Sequence, residues 1–334
     1  MRFAVLGNGA WGVALAKLLV LNGNKVKLWG IEKELTDDIN NNHRLSRYFP
    51  SDVTLPKELT STTDLAEVLK DAEALLMTVP TFAMRNVATQ VNELLDHKVH
   101  IITGAKGFEL STHKRMSEVL RESIDESKRY EIVSLIGPSH AEEVVCCGVT
   151  LITATSIDID EANLIQKTFS NSFFRVYTNS DEIGAEYAAA IKNTIAIASG
   201  IMKGMNLGDN ARAALMTRGI AEIKRFGMKM GGKSETFSGL AGIGDLVVTC
   251  NSLHSRNFQA GLAIGKADSA EEFLKNNKTT VEGINTAKVV TEMAEAMNIE
   301  MPICKAVYEV IYEGKRPSQL VYGLMDRPLK SEQK

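Results

Sequence analysis

A lysine interrupts a long apolar run of this 334-residue chain. Residues 188–198 read AAAIKNTIAIA, in which Lys192 and Asn193 stand among small and aliphatic residues, a pattern typical of a buried helix. Burial penalises an ammonium group and favours the neutral amine, which suits a general acid or base. Lys192 is therefore a candidate proton-transfer group. The alternatives are a lysine that reaches the surface or forms a structural ion pair, and the polar neighbour Asn193 favours the functional interpretation.

A lone aspartate is a candidate partner for this lysine. Residues 239–249 read GLAGIGDLVVT, which places Asp245 between a glycine-rich segment and two valines. A single charge in this setting is either a helix cap or an active-site carboxylate. The spacing leaves the two interpretations equally open.

Two turns have the composition of anion-binding sites. In the first, Ser255, Arg256 and Asn257 precede a helical stretch that begins at Phe258. An arginine beside the N–H groups of a helix N-terminus can bind a phosphate. The structural alternative is that Ser255 only caps the helix.

The second turn, residues 137–142 (GPSHAE), follows the predicted strand Ile132–Ile136. Doubly wound sheets bind ligands beyond the carboxyl ends of their strands, so Gly137 and Ser139 are candidate binding residues. A capping box between Ser139 and Glu142 is the structural alternative. Lys106 also follows a predicted strand and is a candidate for the same reason.

The N-terminus carries a dinucleotide-binding pattern. Gly7, Gly9 and Gly12 form G-x-G-x-x-G between a predicted strand and a predicted helix, where glycines allow a tight turn and close approach of a pyrophosphate. A carboxylate about 20 residues further on binds the ribose 2′-hydroxyl of NAD. Glu32 is near that distance and favours NAD over NADP. The alternatives are a solvated loop carboxylate, or a phosphate contact from Lys33.

The elements that would position these groups alternate between strand and helix up to about residue 178, and only helical patterns follow. We expect an α/β fold: a Rossmann-like, doubly wound and mainly parallel sheet over residues 1–185, then an all-helical substrate domain over 186–334. The predicted strands are Arg2–Leu6, Lys25–Trp29, Ala74–Val79, Val99–Thr103, Ile132–Ile136 and Val149–Thr153. The predicted helices include Gly12–Leu21 and a stretch over Gly184–Lys229, followed by a glycine-bearing loop over Ser238–Asp245.

Composition excludes several classes of protein. The formal net charge is −3 and the pI about 6.1, which disfavours nucleic-acid binding. No uncharged apolar run is long enough for stable membrane insertion, and no targeting segment is recognised. Cysteine and histidine spacings predict no metal site. The adjacent Cys146 and Cys147 are predicted to be buried thiols, which fits a reducing, cytoplasmic location.

A long series of motifs resembles the bacterial-type NAD(P)-dependent glycerol-3-phosphate dehydrogenases. The matching segments are Gly7–Gly12, Arg47–Pro50, Ala105–Gly107, Gly137–Glu143, Lys192–Thr194, Gly208–Ala211, Thr217–Gly219, Gly239–Thr249, Ser255–Asn257, Val281–Gly283 and Met301–Ile303. The resemblance implies interconversion of dihydroxyacetone phosphate, a small phosphorylated three-carbon substrate, and sn-glycerol 3-phosphate with NAD or NADP. It also implies a role in phospholipid synthesis.

The resemblance assigns roles to individual residues. Lys192 would be the catalytic acid/base, with Lys106 and Asp245 orienting the reacting end of the substrate. The substrate-binding residues would be Lys106, Gly137, Ser139, Lys192, Asp245, Ser255, Arg256 and Asn257, the last three at its phosphate. Besides the three glycines and Glu32, the cofactor residues would be Ala10, Trp11, Tyr48, Lys106, Ala141, Arg256, Val281 and Glu282.

The chain departs from the family at three points. Ile31 and Glu32 stand where a basic residue is common, which again favours NAD. His140 replaces a common phenylalanine, and Phe82 a frequent histidine, so both would tune the site.

The sequence is also compatible with two other functions. One is a related dehydrogenase acting on a β-hydroxy acid or sugar acid, although the turn at Ser255–Asn257 favours a phosphorylated substrate. The other is a dinucleotide-sensing regulator, which would usually carry a DNA-binding module. The surplus of apolar helices after residue 185 predicts a homodimer.

Overall fold

The computed structural model describes residues 1–277, 279–329 and 331–332. An eight-stranded sheet lies in the first half of the chain, in the order β3-β2-β1-β4-β5-β6-β7-β8. Its strands are β1 (Arg2–Leu6), β2 (Lys25–Trp29), β3 (Thr60–Thr62), β4 (Ala74–Met77), β5 (Val99–Thr103), β6 (Arg129–Ile136), β7 (Thr150–Thr155) and β8 (Phe174–Asn179). Only the β6–β7 pair is antiparallel, so the predicted doubly wound, mainly parallel sheet is confirmed.

Helices cover both faces of this sheet. They are α1 (Ala10–Leu21), α2 (Lys33–Asp37), α3 (Leu65–Leu69), α4 (Met84–Leu94), α5 (Met116–Ser123), α6 (Ala141–Val145) and α7 (Ile159–Phe169). The central strands are almost wholly buried because apolar side chains project from both of their faces. One apolar cluster includes Leu15 and Phe169, and a second, on α4 and α5, includes Val91 and Leu120.

In the described residues of the second half of the chain, after β8, the regular elements are all helices, joined by short turns. Its helices are α8 (Glu182–Gly204), α9 (Asp209–Lys229), α10 (Asp245–Asn251), α11 (Arg256–Ala267), α12 (Glu271–Asn276), α13 (Glu282–Ala296), α14 (Pro302–Tyr312) and α15 (Pro317–Met325). No helix among the described residues is long and apolar enough to cross a membrane.

Helix α8 is the centre of the helical half. It is buried on nearly all sides and packs against α9, α10, α11 and α13. Its contact with α11 is very close, because a Cβ on Gly261 would lie 2.0 Å from the Ile197 carbonyl oxygen. Helix α8 begins at Glu182 and crosses the predicted domain boundary at residues 185/186, and that boundary stays a prediction.

Several local predictions are wrong. β3 and β8 were not predicted. β3 has only three residues, all of them polar, and in β8 the aromatic Tyr177 stands on the exposed face, so apolar and polar residues do not alternate cleanly in its sequence. The helical stretch Gly184–Lys229 is two helices, separated at residues 205–208, where Asn206 has a positive φ of 59°. The glycine-bearing loop contains a π-helical turn at Leu240–Gly244.

The prediction of two buried adjacent thiols is also wrong. Cys146 is exposed and Cys147 half-buried, whereas Cys250 and Cys304 are buried. The apolar run before β7 forms α6 and a turn rather than a strand, and Cys147 adopts a positive φ of 60° in that turn.

Candidate active site

The glycine loop has the geometry that a pyrophosphate requires. Gly7 adopts a φ of 121°, and a Cβ on Gly12 would lie 1.9 Å from the Gly7 carbonyl oxygen. Among the described residues other than Gly9 and its chain neighbours, no heavy atom lies within 4 Å of the point where a Cβ on Gly9 would stand, and Gly9, the N-cap of α1, has no side chain to block the loop. The first N–H groups of α1 are therefore accessible to an anion.

Trp11 and Ala10 follow this loop on the first turn of α1. Gly104 lies in the segment that leads from β5 to Lys106, and a Cβ added to it would stand 2.7 Å from the indole Nε1 of Trp11. Ala141, at the start of α6, is buried in the same apolar cluster that Ala10 and Trp11 contact. The structure thus brings three predicted cofactor residues to the carboxyl edge of the sheet.

Three charged side chains meet where the helical half faces the end of β5. Lys192 on α8 is 5% exposed and Asp245 at the start of α10 is 1% exposed. The Lys192 ammonium contacts Asp245 Oδ1, and Lys106 Nζ donates to Asp245 Oδ2 at 2.9 Å. Lys192 also donates to the Thr249 hydroxyl at 2.8 Å. The sequence-based pairing of Lys192 with Asp245 is confirmed, and Lys192 does not reach the surface.

The electrostatics of this cluster set an unusual protonation state. Burial lowers the pKa of Lys192 to about 8, with the Lys106 charge acting in the same direction and Asp245 opposing both. Burial alone would raise the pKa of Asp245, but Lys106 and Lys192 outweigh it and hold that pKa below its usual range. Near neutral pH, Lys192 can therefore both give and take a proton.

The turn at Gly137–Ser139 is tied to the same cluster. Gly137 adopts a φ of 152°, and its carbonyl oxygen accepts from both Lys106 Nζ and the Ser139 hydroxyl, each at 3.0 Å. The predicted capping box is wrong, because the Ser139 hydroxyl is engaged with Gly137 and His140 is the N-cap of α6. Ser139 therefore lies beside the charged cluster rather than in the helix.

The Ser255–Asn257 turn opens α11. Ser255 is its N-cap and accepts from the Phe258 N–H at 3.2 Å. The cap is therefore present, and the phosphate-binding role of the turn stays a prediction. Asn257 donates to Asn193 Oδ1 at 3.0 Å and accepts from the Gly283 N–H at 2.9 Å. These bonds fix the start of α11 against α8 and α13, and they explain the polar residue beside Lys192.

The start of α13 closes the arrangement on the side of β4. Glu282 accepts from the Thr81 hydroxyl at 2.7 Å and from its N–H at 3.3 Å. Burial raises the pKa of Glu282, against the opposing charge of Arg256. Val281 is the buried N-cap of the same helix. Residues 281 and 282 thus lie between the Ser255–Asn257 turn and the sheet edge.

His140, the departure noted in the sequence, faces the charged cluster. Its ring centroid lies 5.7 Å from that of His254. Its Nε2 is buried and has no hydrogen-bond partner among the described residues. Burial lowers the pKa of His140 and the Lys192 charge adds to the effect, so the imidazole is neutral at neutral pH.

Glu32 and Tyr48 both contact Arg47. Glu32 follows β2 as the N-cap of α2, and Tyr48 is 42% exposed. The Glu32 carboxylate pairs with Arg47 Nη1 at 2.5 Å. Neither this pair nor the Thr249 contact of Lys192 was predicted, although Thr249 stands one helical turn after Asp245, a spacing that places both on one face.

Within the described residues, no group of three or more His, Cys, Asp or Glu side chains could hold a metal ion.

Comparison with known proteins identifies the family. Models of the N-terminal and C-terminal parts of NAD-dependent glycerol-3-phosphate dehydrogenase match residues 2–162 and 181–322. Glycerol-3-phosphate dehydrogenase [NAD(P)+] of Streptococcus uberis is 48% identical over 331 residues, covering 99% of this chain and 98% of that protein.

Solved structures agree. Glycerol-3-phosphate dehydrogenase of Coxiella burnetii superposes with a TM-score of 0.91 at 36% identity, covering 98% of this chain and 99% of that one. The Saccharomyces cerevisiae enzyme gives a TM-score of 0.83 at 26% identity, with coverage of 98% and 99%. The chain belongs to the NAD-dependent glycerol-3-phosphate dehydrogenase family.

Proposed function

We propose that this chain is an NAD(P)-dependent glycerol-3-phosphate dehydrogenase. It interconverts dihydroxyacetone phosphate and sn-glycerol 3-phosphate and supplies glycerol phosphate for phospholipid synthesis. The observation that carries the proposal is the buried lysine–aspartate–lysine cluster, which lies between a dinucleotide loop and a phosphate turn in a chain of this family. The two predicted domains, residues 1–185 and 186–334, would each contribute one side of the site.

The residues at the sheet edge fit a dinucleotide. The glycine loop leaves space above Gly9 and exposes the start of α1, which suits a pyrophosphate. Trp11 extends from that loop towards Gly104 and the segment with Lys106. When bound, the reduced nicotinamide supplies the hydride that attacks C2 of the substrate.

The substrate phosphate is held at the start of α11. This helix has twelve residues and Ser255 caps the Phe258 N–H. The N–H groups of Arg256 and Asn257, which precede the first intrahelical bonds, and the Arg256 guanidinium provide both dipole and charge. Asn257 orients the turn through its bonds to α8 and α13. Gly137 and Ser139 line the opposite side, next to Lys106.

Lys192 moves the proton. In reduction its ammonium donates to the oxygen on C2 as negative charge develops there, and in oxidation its neutral amine accepts the hydroxyl proton. Its pKa of about 8 leaves both forms available near neutral pH. Asp245 positions both amines, because Lys106 and Lys192 each bond to its buried carboxylate. Held in this way, Lys106 and Asp245 orient the reacting end of the substrate.

The proposal is tested by following reduced-cofactor absorbance with dihydroxyacetone phosphate, and with unphosphorylated dihydroxyacetone and a panel of β-keto acids as matched controls. Rapid oxidation confined to the phosphorylated ketone is expected. Faster turnover of a β-keto acid would overturn the substrate in favour of a related dehydrogenase. Cofactor binding without oxidation of any substrate would overturn the enzyme assignment in favour of a sensor.

We also propose a cytoplasmic homodimer. All four cysteines are free thiols, which supports a reducing compartment. The helical half exposes Ile243 before α10, Val247 within it and Leu253 after it, which supports a contact between copies. Light scattering after size exclusion should give twice the chain mass of 36.5 kDa, and a monomer at micromolar concentration would contradict the dimer.

A further inference from the structure

We propose that Arg47, working against Glu32, reads the 2′-position of the bound dinucleotide and lets one site accept both NAD and NADP. This rests on the proposed function, since it concerns the cofactor of that reaction. The two residues are fifteen positions apart in sequence and form an ion pair at the adenosine end of the sheet edge.

The location of Glu32 defines what the pair can reach. Glu32 follows the carboxyl end of β2, where a carboxylate accepts from the ribose 2′-hydroxyl of NAD. The Asn8 side chain of the glycine loop lies against Gly30 and donates to Thr36 of α2 at 3.3 Å. The pyrophosphate loop and the Glu32 segment are therefore joined, which places the ribose of a bound dinucleotide next to Glu32.

Arg47 is held in this place by two carboxylates. Its Nη1 lies 2.5 Å from Glu32 Oε2, and its Nη2 lies 2.8 Å from Glu34 Oε2. The Arg47 side chain is 39% exposed and that of Glu32 47% exposed. A ligand can therefore reach both ends of the pair without unfolding the segment.

The turn that presents Arg47 is firmly anchored. Leu45 and Phe49, on either side of it, are buried, and the Phe49 N–H donates to the Leu45 carbonyl at 3.0 Å. The Ser46 N–H donates to Asp38 Oδ2 at 2.7 Å. Only the side chain has to move to exchange partners, so the guanidinium is available at low entropic cost.

The two cofactors use opposite members of the pair. With NAD, Glu32 accepts from the 2′-hydroxyl while Arg47 keeps the carboxylate in position. With NADP, the 2′-phosphate repels Glu32, and the planar guanidinium can bind the phosphate in a bidentate manner. Glu32 and Glu34 compete with the phosphate for the guanidinium, and this competition limits the affinity that NADP gains from Arg47. The pair thereby explains how a chain with a carboxylate after β2 can accept NADP.

The test is direct binding, measured by the fluorescence of NADH and NADPH titrated with the full chain. Arg47→Leu should weaken NADPH binding by about tenfold or more, the worth of a charge-assisted hydrogen bond, and NADH binding by less than about threefold. Glu32→Gln should have the opposite effect: it should strengthen NADPH binding and weaken NADH binding. Arg44→Leu, which removes the same charge from the same segment, is the matched control and should leave the ratio of the two affinities unchanged.

Equal losses for both cofactors in Arg47→Leu, or no loss for either, would overturn the assignment. If that variant fails to fold by circular dichroism, Glu32→Gln decides alone, and an unchanged NADPH-to-NADH ratio there overturns it. Turnover of dihydroxyacetone phosphate separates the two proposals. If the wild type turns over dihydroxyacetone phosphate but the variants keep its ratio of NADPH to NADH affinity, only the role of Arg47 is refuted. If the wild type binds neither cofactor, both proposals are refuted.

Discussion

Replacing Asp245 by asparagine perturbs the charge that governs Lys192. The Asp245 side chain is 1% exposed and contacts two ammonium groups, with Lys106 Nζ at 2.9 Å. At that distance and an effective dielectric constant of about 20, the attraction for one ammonium is roughly 6 kcal/mol before relaxation. Asparagine keeps the shape and one acceptor but removes the charge. We therefore expect the pKa of Lys192, about 8 in the wild type, to fall by at least about one.

The assay is the pH dependence of kcat in both directions. Oxidation of glycerol 3-phosphate needs the neutral amine, so its rate rises with pH through the pKa of Lys192, and reduction of dihydroxyacetone phosphate falls through it. Lowering this pKa moves both midpoints to lower pH, with a smaller maximal rate because the amine is less well oriented. Asp209→Asn, on a side chain that is 97% exposed, is the control.

Removal of a positive charge beside Lys192 should have the opposite effect on its pKa. Lys106→Met removes the positive charge that helps to lower the pKa of Lys192, so the midpoints should move to higher pH. A midpoint that stays in place or rises in Asp245→Asn would contradict control of the Lys192 pKa by the Asp245 charge. A shift of the midpoint in the same direction in both variants would also contradict it, because removal of a negative and of a positive charge must shift the pKa of Lys192 in opposite directions.

Two further predictions concern stability. Gly261→Ala should destabilise the protein by about 2 kcal/mol or more in urea unfolding, since its Cβ would meet the Ile197 carbonyl oxygen at 2.0 Å. The control is Gly323→Ala, where a Cβ would have open space within 4 Å among the described residues, and it should not lower stability. Equal effects of the two changes would contradict the close helix contact. Burial raises the pKa of Glu222 to about 7, above its unfolded value, so its contribution to stability is full below about pH 4.5 and is lost as the pH rises through 7. Melting temperatures of Glu222→Gln should therefore fall less than those of the wild type between pH 5 and 8, and parallel curves would contradict the assignment.

Local patterns were sufficient for the parts of the fold that depend on local sequence. β1, β2 and β5 have the predicted bounds, because their apolar runs are short and end at glycine or polar residues. The buried helix around Lys192 was also predictable, since apolar residues on all sides of a helical stretch leave it no face for water. A lysine in that helix then required a partner, and Asp245 was the candidate that the structure confirms.

Contacts between distant segments could not be read in this way. Glu282 meets Thr81 across 201 residues and Arg47 meets Glu32 across fifteen, and neither spacing has a period that a single sequence reveals. The capping-box prediction failed for a related reason. The positive φ of Gly137 folds the turn back so that the Ser139 hydroxyl reaches the Gly137 carbonyl instead of the helix.

The proton-transfer role of Lys192 is tested by the turnover of Lys192→Ala. Dihydroxyacetone phosphate reduction is measured with saturating NADH, together with NADH binding by fluorescence, and Lys203→Ala, an exposed lysine on the same helix, serves as the matched control. We expect kcat of Lys192→Ala to fall by roughly 10²–10⁴, while its NADH affinity and the turnover of the control stay near those of the wild type. A Lys192→Ala variant that binds NADH and turns over within about threefold of the wild type would contradict that role.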